Sequence, residues 1–380
     1  MAFRMFAKST TITEATRPIA REELQSARIE QPADMWPAEW YPQSGVMLTW
    51  PHAMTDWAPM LREVETCYLQ MAFHMASQET LLIVTPEPDR VKSLLHQHLP
   101  ERLMANIILV RCDTNDTWAR DHGPLCVLEG GVWTVKDFGF NAWGDKFPHE
   151  KDNTITAGVF QSGIWHANYQ DCNDFILEGG SVESDGRGTI LTTAQCLLNP
   201  NRNPRLSSAD IEERLLRELH AQRVLWLHHG HMAGDDTDAH IDTLVRLCPN
   251  DTIAYVRCTD PDDEHYHDLQ RMEAELRQLR TPENNPYRLL PLPLPSPITD
   301  PDDGTRLPAT YANFLVLNDS VLMPTYGQPE ADVLACDTIQ QAFPTHQIVG
   351  IDCRPLIRQH GSLHCCTMQF PRGVMAHPND

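Results

Sequence analysis

The sequence lacks any apolar run long enough to cross a membrane. Its most hydrophobic stretches, such as Thr80–Val84 and Ile107–Val110, are far shorter than the ~20 residues that a membrane-spanning helix needs. The first 30 residues contain no continuous apolar segment of secretory length, which argues against a signal peptide. We therefore expect residues 1–30 to form a polar, poorly ordered leader, and the protein to be cytoplasmic without a membrane partner.

A framework of paired cysteines is also missing. The chain has 11 cysteines, an odd number, at irregular spacings. This pattern predicts reduced thiols in a cytoplasmic protein rather than a disulfide scaffold. No two cysteines form a CxxC pair, so the sequence has no signature of a structural zinc site.

Positive charge is scarce. The sequence contains 30 Lys and Arg against 52 Asp and Glu, a formal net charge of −22. Such a surface repels phosphate backbones, which argues against nucleic acid as a partner, and it attracts small cations. On charge alone the simpler interpretation is that an acidic surface keeps the protein soluble. The charge becomes informative only if the active site itself requires a cation.

Strand-like runs alternate with helix-like stretches, and this mixed order predicts an α/β protein. The runs typical of strands are Val46–Trp50, Thr80–Val84, Asn106–Val110, Val132–Val135, Thr189–Thr192, Val224–Leu227, Thr243–Leu247, Thr252–Val256 and Val316–Met323. The stretches typical of helices are Trp57–Met75, Ser208–Leu219, Tyr266–Arg280 and Pro329–Phe343. Ser207 or Ser208 is the expected N-cap of the second helix. Neither a linker nor a strong internal repeat is evident, so we expect one domain over residues 31–375.

A proline-rich stretch, Leu289–Pro308, contains the sequence PLPLPSPITDPDDG. Its composition predicts an extended connection followed by a turn. It is a candidate for a loop that faces a substrate, and a plain surface connection is an equally good interpretation.

Four segments that lie far apart in the sequence have unusual composition. They are Asp116–Pro124 (DTWARDHGP), Leu177–Ser181 (LEGGS), Gly234–Leu247 (GDDTDAHIDTLVRL) and His360–Gln369 (HGSLHCCTMQ). Glu178 precedes two glycines, where backbone can approach a ligand closely. His240 and Asp242 are two apart on an expected strand and would point to one face. Taken singly, each segment has an ordinary interpretation: a solvated turn, a strand end, a strand with a satisfied polar face, or buried thiols.

Together the four segments supply what the hydrolysis of a guanidinium group requires. A guanidinium is flat and permanently cationic, and carboxylates can grip its N–H donors in pairs. A thiolate is a suitable nucleophile for its central carbon. One histidine can protonate the departing amine and later deprotonate water. The residues available for these roles are Cys365, His240, Asp121, Asp242 and Glu178.

A metal site is the alternative for the histidine-rich part of the chain. Residues 228–242 contain four histidines and several aspartates, which could hold a divalent ion for hydrolysis. The segment has no HExxH motif. Its DDTDAHID sequence departs from a calcium-binding EF-hand loop, because Ala239 replaces the glycine and the terminal glutamate is absent. We therefore expect no metal and no other cofactor.

The ordered motifs also carry a family resemblance. The chain resembles the agmatine deiminases, within the guanidine-modifying superfamily that includes peptidyl-arginine and arginine deiminases. The resemblance covers most of residues 35–371. Besides DTWARDHGP, LEGGS and GDDTDAHIDTLVRL, it includes Met35–Pro51, Leu307–Asp332 and Leu363–Pro371. Several ordered motifs in one chain are a far more specific signal than any one of them.

This resemblance implies an α/β propeller of five ββαβ-like units, the pentein fold, with the active site in a central channel. It implies that Cys365 is the nucleophile that forms an amidino-cysteine intermediate, His240 the general acid and base, and Glu178 the carboxylate beside it. Asp121 and Asp242 match the pair that binds the guanidinium. Trp118 and Asp236 are expected to line the substrate pocket. Family analogy further implies a homo-oligomer.

Some positions depart from the family pattern. A glycine-rich run is usual before the nucleophile, and here it reads Gln359–Ser362; Ala239 stands where a glycine is usual. Cys366 directly follows the expected nucleophile. In an extended segment Cys365 and Cys366 would point to opposite faces, so alternation alone leaves the choice between them open.

The expected reaction is the conversion of agmatine and water to N-carbamoylputrescine and ammonia. Free arginine and peptidyl-arginine are alternative substrates for the same chemistry. A non-catalytic guanidine-binding protein of the same fold is an alternative from another class.

Overall fold

Sixteen strands form five small sheets in the computed structural model, which describes residues 34–375. The expected leader, residues 1–30, lies outside the described residues. The strands are β1 Gln43–Thr49, β2 Thr80–Thr85, β3 Ile107–Arg111, β4 Leu125–Glu129, β5 Val132–Gly139, β6 Asn168–Ile176, β7 Val182–Ser184, β8 Thr189–Thr193, β9 Arg223–Leu227, β10 Val245–Cys248, β11 Thr252–Arg257, β12 Arg288–Pro293, β13 Leu315–Val316, β14 Ser320–Thr325, β15 Gln347–Asp352 and β16 Thr367–Pro371.

Short and medium helices connect the strands. The α-helices are α1 Leu61–Ala76, α2 Pro88–His98, α3 Glu101–Met104, α4 Ala119–His122, α5 Ala142–Asp145, α6 Ile155–Gln161, α7 Ala194–Leu197, α8 Ser208–Glu218, α9 Tyr266–Leu276, α10 Pro329–Gln340 and α11 Arg354–Ile357. The 3-10 helices are Ala58–Met60, Asp152–Thr154, Gly179–Ser181, Ile241–Thr243 and His364–Cys366. None of these helices is long and apolar enough to cross a membrane.

Four of the five sheets repeat one arrangement. An antiparallel hairpin is followed by a crossover helix and a strand parallel to the second hairpin strand, as in β10-β11-α9-β12. The sheets β4-β5-β6, β7-β8-β9 and β13-β14-β15 follow the same order. In the fifth sheet, β16-β1-β2-β3, the last strand of the chain pairs antiparallel with the first. The expected five-bladed α/β propeller of the pentein fold is therefore confirmed.

The repeated arrangement leaves no strong repeat in the sequence because each module needs only a hydrophobic pattern, not particular side chains. Strand β2 illustrates this pattern. Its alternate residues Leu81 and Ile83 enter one apolar cluster, and Leu82 and Val84 enter a second. Both faces of the strand are thus covered, which explains its continuous apolar sequence.

The expected start of the second predicted helix is confirmed. The Ser207 hydroxyl accepts from the Asp210 backbone N–H, and the Asp210 side chain accepts from the Ser207 N–H, a complete capping box at the start of α8. Apolar Ile211 and Leu215 lie four residues apart and are buried, so the helix packs on the face that its periodicity predicts.

Three expectations about strands need correction. The predicted strand Val316–Met323 is a hairpin, because its polar Asn318-Asp319 pair forms the turn between β13 and β14. The predicted strand Thr243–Leu247 begins only at Val245, after a 3-10 turn. The proline-rich stretch Leu289–Pro308 overlaps strand β12 rather than being wholly a connection. Its prolines are tolerated because β12 lies at a sheet edge.

Five segments occupy equivalent places, each just before an edge strand that pairs antiparallel with its neighbour, namely β4, β7, β10, β13 and β16. They are helix α4, the 3-10 turns Gly179–Ser181, Ile241–Thr243 and His364–Cys366, and residues 310–314. We call them the pre-strand segments. Helix α4 contacts the first and last of these turns, and the turns Gly179–Ser181 and Ile241–Thr243 contact each other. The modular fold therefore brings together residues that are up to 247 positions apart, from Ala119 to Cys366.

Candidate active site

A small cavity lies against the pre-strand segments. Its volume is ≈ 120 Å³, well below the ~300–1,000 Å³ of pockets for drug-sized ligands, so it suits a slender small molecule. The residues that line it are Asp56, Asp116, Trp118, Asp121, Trp143, Phe147, Asp236, Thr237, Gln359, His360, Gly361 and Cys365. Four of the expected site residues are in this lining. None of the lining residues comes from the proline-rich stretch 289–308, so this cavity gives no support to the idea that the stretch faces a substrate.

The cavity distinguishes the two neighbouring cysteines. They lie in a 3-10 turn rather than an extended segment, so strand alternation does not apply. Cys365 lines the cavity. Its Sγ lies 3.4 Å from Asn313 Oδ1 and 3.9 Å from Asp242 Oδ2. Cys366 is fully buried outside the lining. Burial, together with the carboxylates of Asp242 and Asp121, raises the pKa of Cys365 well above its usual value, so the free site holds a neutral thiol.

Gly180 allows two of the acids and the histidine to come together. Its backbone N–H donates to Asp121 Oδ1 at 3.0 Å. A Cβ atom at this position would lie 2.7 Å from both Asp121 Oδ1 and His240 Nδ1, and 3.2 Å from Asp242 Oδ2. No side chain fits there, so the glycine is required by close approach. The LEGGS motif thus brings backbone close to the side chains of Asp121, His240 and Asp242.

His240 is buried with an unusual amount of free hydrogen-bonding capacity. Neither ring nitrogen has a hydrogen-bond partner, and Nδ1 lies 3.6 Å from Asp121 Oδ1. Burial lowers the pKa of His240, but Asp121, Cys196 and Glu178 raise it by more, to about 10. Burial raises the pKa of Asp121 to about 6. At neutral pH the proton therefore lies on the imidazole, and Asp121 is ionised.

The expectation that His240 and Asp242 share one face of a strand is wrong. His240 is the N-cap of the 3-10 turn Ile241–Thr243, and Asp242 lies inside that turn. Both side chains are nevertheless buried in the same cluster. The segment that leads into this turn is held by the Asp235 side chain, which accepts from the backbone N–H of Thr237 and of Ala239. These bonds hold Ala239 at a φ of 69°, which explains why glycine is usual there.

Glu178 is held by an arginine that sequence reasoning did not single out. Arg202 Nε donates to both oxygens of Glu178, at 2.8 and 3.0 Å, and both side chains are fully buried. A Glu178 oxygen lies within 4.8 Å of a ring nitrogen of His240, without a hydrogen bond between them. Glu178 therefore acts on His240 through its charge in this state.

The outer part of the cavity combines aromatic and acidic side chains. Trp118 stands against Gly361, where a Cβ would lie 2.1 Å from the indole ring. Trp143 Nε1 donates to Asp121 Oδ2 at 3.0 Å. Asp236 has a partly exposed carboxylate whose nearest cation-forming group is His360 Nδ1, at 3.9 Å. Trp118 and Asp236 thus both line the cavity, and their contact with a substrate stays a prediction.

Within residues 34–375, two groups of side chains are close enough to hold a cation, Glu178-Cys196-His240 and Glu39-Glu183-His364. In each group an arginine already binds the carboxylates, Arg202 in the first and Arg246 in the second.

The histidines of the segment 228–231, which the sequence offers as possible metal ligands, face helix α9 rather than the cavity. His229 contacts Glu275 and His231 contacts Asp268.

Sequence reasoning missed Asn313, His364, Arg202 and Trp143. Asn313 Oδ1 accepts from the backbone N–H of His364 at 2.9 Å and of Cys365 at 3.3 Å, which ties the turn that holds Cys365 to residues 310–314. His364 and Asn313 lie inside motifs that the resemblance includes, but no local pattern gives them a role. Arg202 and Trp143 lie in segments without any such signal.

Five ββαβ modules that converge on a thiol, a histidine and a set of carboxylates define a guanidine-modifying enzyme of the pentein fold. The family model of the Porphyromonas-type peptidyl-arginine deiminases matches residues 35–371, and the chain belongs to this family. Membership places it among enzymes that deiminate guanidinium groups, which is chemistry at a C–N bond.

Individual relatives agree with this placement. A solved structure from Porphyromonas gingivalis, named as a candidate arginine deiminase, is 48% identical with a TM-score of 0.85 and covers 90% of this chain and 100% of its own. A substrate-bound agmatine deiminase variant of C. jejuni is 36% identical with a TM-score of 0.82, covering 90% and 97%. A curated Vibrio parahaemolyticus protein, named as a candidate agmatine deiminase, is 31% identical over 88% of this chain and 96% of its own.

Proposed function

We propose that the protein hydrolyses agmatine to N-carbamoylputrescine and ammonia through a covalent intermediate on Cys365. One observation carries the proposal. The Cys365 thiol faces a small acidic and aromatic cavity, 3.9 Å from the Asp242 carboxylate, and the same cluster contains a buried histidine with both ring nitrogens free.

In the first half-reaction the planar guanidinium lies between Asp121 and Asp242. Its positive charge offsets the two carboxylates that raise the pKa of the Cys365 thiol, so substrate binding favours loss of the thiol proton to solvent. The thiolate then forms a C–S bond to the central carbon. His240, which is protonated at neutral pH, donates its proton to one terminal nitrogen as the C–N bond breaks. Ammonia leaves, and a thiouronium remains on Cys365.

In the second half-reaction water replaces ammonia. The now neutral His240 takes a proton from the water, whose oxygen bonds to the thiouronium carbon. The C–S bond breaks, its electron pair returns to the Cys365 sulfur, and the proton of the newly added hydroxyl moves to that sulfur, so a neutral ureido product is released and the thiol is restored. Glu178 stabilises the imidazolium that forms again, since its charge lies close to the ring. The two half-reactions together leave the enzyme ready for another cycle.

The charge of the lining supports agmatine over arginine. Among the described residues of the lining, four are aspartates and none is lysine or arginine. A carboxylate on the substrate would therefore meet like charges, whereas the distal ammonium of agmatine would be attracted to the partly exposed Asp236. The rings of Trp118, Trp143 and Phe147 suit an aliphatic chain and a terminal cation.

The test compares the turnover of agmatine, free arginine and a blocked arginine peptide. We expect agmatine to have the highest kcat/KM, and Cys365→Ala to abolish formation of ammonia and ureido product. Cys366→Ala is the matched control and should keep most of the activity. Loss of activity in the Cys366 variant with retention in the Cys365 variant would contradict the assignment.

The second candidate function is deimination of free or peptidyl arginine, which uses the same chemistry on a different substrate. A specific observation favours this second candidate, because the Porphyromonas gingivalis protein named for arginine is 48% identical.

A guanidine-binding protein without catalysis would also bind agmatine. Such a protein should react slowly with a haloacetamidine, whereas the proposed enzyme should form a covalent adduct at Cys365 that mass spectrometry can locate. We also infer a cytoplasmic location and a homo-oligomeric state. The eleven unpaired cysteines support the first, and family analogy supports the second.

A further inference from the structure

His364, the residue before the proposed nucleophile, bridges two carboxylates. Its Nδ1 lies 2.8 Å from Asp242 Oδ2, and its Nε2 lies 2.7 Å from Glu39 Oε2. The imidazole is 2% exposed, so no water competes for either contact. An ionised carboxylate can only accept hydrogen bonds, and a neutral imidazole has only one N–H. Both contacts are hydrogen bonds between these partners only when His364 carries both protons and a positive charge.

Glu39, on the far side of this bridge, is firmly anchored. Its Oε2 accepts from Arg246 Nη2 at 2.6 Å, and its Oε1 accepts from the Val316 backbone N–H at 2.7 Å. Arg246 also donates from Nε to Glu183 Oε1 at 2.6 Å. Burial raises the pKa of Glu39, but Arg246 and then His364 lower it by more, so Glu39 is ionised.

The bridge determines which oxygen of Asp242 is free. His364 occupies Oδ2, while Oδ1 is buried without any hydrogen-bond partner. The two proposed guanidinium-binding acids also differ in ionisation. Burial raises the pKa of Asp121 to about 6, whereas for Asp242 the effect of burial is outweighed by His364 and the pKa is lowered. Asp242 is therefore the acid that is held ionised and oriented by its own cation.

We propose that His364 is a positioning residue for deimination: as an imidazolium it links Asp242 to the anchored Glu39 and keeps Oδ1 of Asp242 ionised and directed at the guanidinium. This inference rests on the proposed function. The other ionisable groups near the bridge are Glu183, one of whose carboxylate oxygens lies within 4.8 Å of a ring nitrogen of His364, Arg120, whose Nη2 lies 4.0 Å from Glu39, and the thiol of Cys365. Arg120, like Arg246, is cationic throughout the working pH range.

The direct test is the protonation state of His364, read by NMR of the full chain with ¹⁵N-labelled histidine. We expect two N–H signals from His364 near pH 7.5, assigned by their loss in His364→Gln. His265 is a matched internal control. It is equally buried, its Nε2 accepts from the Ala233 N–H, and its Nδ1 contacts Asp263, so it should show a single N–H. A single N–H on His364 would overturn the proposal, whatever the substrate of the enzyme proves to be.

The functional test uses the two partners of the bridge. We expect His364→Gln and Glu39→Gln each to lower kcat/KM for agmatine by roughly 10- to 100-fold and to move the acid limb of the pH profile to higher pH, because Asp242 loses its cation. His265→Gln should leave the position of that limb unchanged. A lower rate with an unmoved limb in both bridge variants would indicate a merely structural role and refute the proposal. If wild-type enzyme turns over no guanidinium compound, the proposed function fails while the NMR result still stands.

Discussion

The Asp242 carboxylate is proposed to bind the substrate guanidinium, and it disfavours ionisation of the Cys365 thiol. Asp242→Asn should therefore slow turnover and speed chemical labelling of that thiol. Oδ2 of Asp242 lies 3.9 Å from Cys365 Sγ. Two unit negative charges at that separation repel by about 4 kcal/mol at an effective dielectric constant of about 20. Asn has the same shape and can still accept from His364. Removing the charge should therefore increase Cys365 labelling by neutral iodoacetamide at pH 7 by roughly tenfold or more.

Turnover should change in the other direction. The guanidinium loses one ionic hydrogen bond in a buried site, which is worth about 2–3 kcal/mol, so kcat/KM should fall by roughly 30- to 200-fold. Asp174→Asn is the matched control, because it removes the same charge from an exposed ion pair with Arg214 and should change neither rate more than about twofold. Labelling that is unchanged or slower in Asp242→Asn would show that this carboxylate does not suppress the thiolate.

Three further predictions concern single positions. Gly180→Ala places a methyl group 2.7 Å from Asp121 Oδ1; we expect a loss of activity of about 100-fold and a destabilisation of about 1–3 kcal/mol, and unchanged kinetics would contradict the close approach. Ser207→Ala removes the capping box of α8 and should cost about 1 kcal/mol in urea unfolding with kcat unaffected. Burial raises the pKa of Glu79 from 4.5 to about 7. The stability from this group is present at low pH and is lost as pH rises through about 7, so Glu79→Gln should stabilise by ~1–3 kcal/mol at pH 8 relative to pH 5, and a pH-independent difference would refute this.

The sequence predicts elements whose signal is local. The apolar periodicity and the N-cap serine define α8, and the continuous apolar run of Thr80–Val84 defines a strand that is buried on both faces. Local signals fail where a short polar pair interrupts an apolar run, as in the hairpin β13-β14. They also fail where side chains hold a turn, as Asp235 does before His240. The fivefold arrangement could be predicted only from the family resemblance, because hydrophobic patterns carry no register between modules.

The residues of the candidate site also fall into two groups, those that a local sequence signal predicts and those that it does not. Cys365, His240, Asp121, Asp242 and Glu178 stand in segments of unusual composition, and the chemistry of a guanidinium selects them. Their supporting partners could not be predicted in this way. Glu39 and His364 touch across 325 positions of the chain, and neither has an unusual neighbourhood that would connect it to the other. Such contacts exist only once the modules are assembled.

The pairing of β1 with β16 has a consequence for how the chain folds during its synthesis. Cys365 lies just before β16, which closes the ring on β1, so the ribosome releases this thiol after four of the five modules are complete. Strand β1 must wait for a partner that follows all four of those modules, a long-range closure of the kind that slows folding. The turn that holds Cys365 leads directly into β16, so the thiol takes its place as the ring closes. The proposed activity therefore reports closure of the ring.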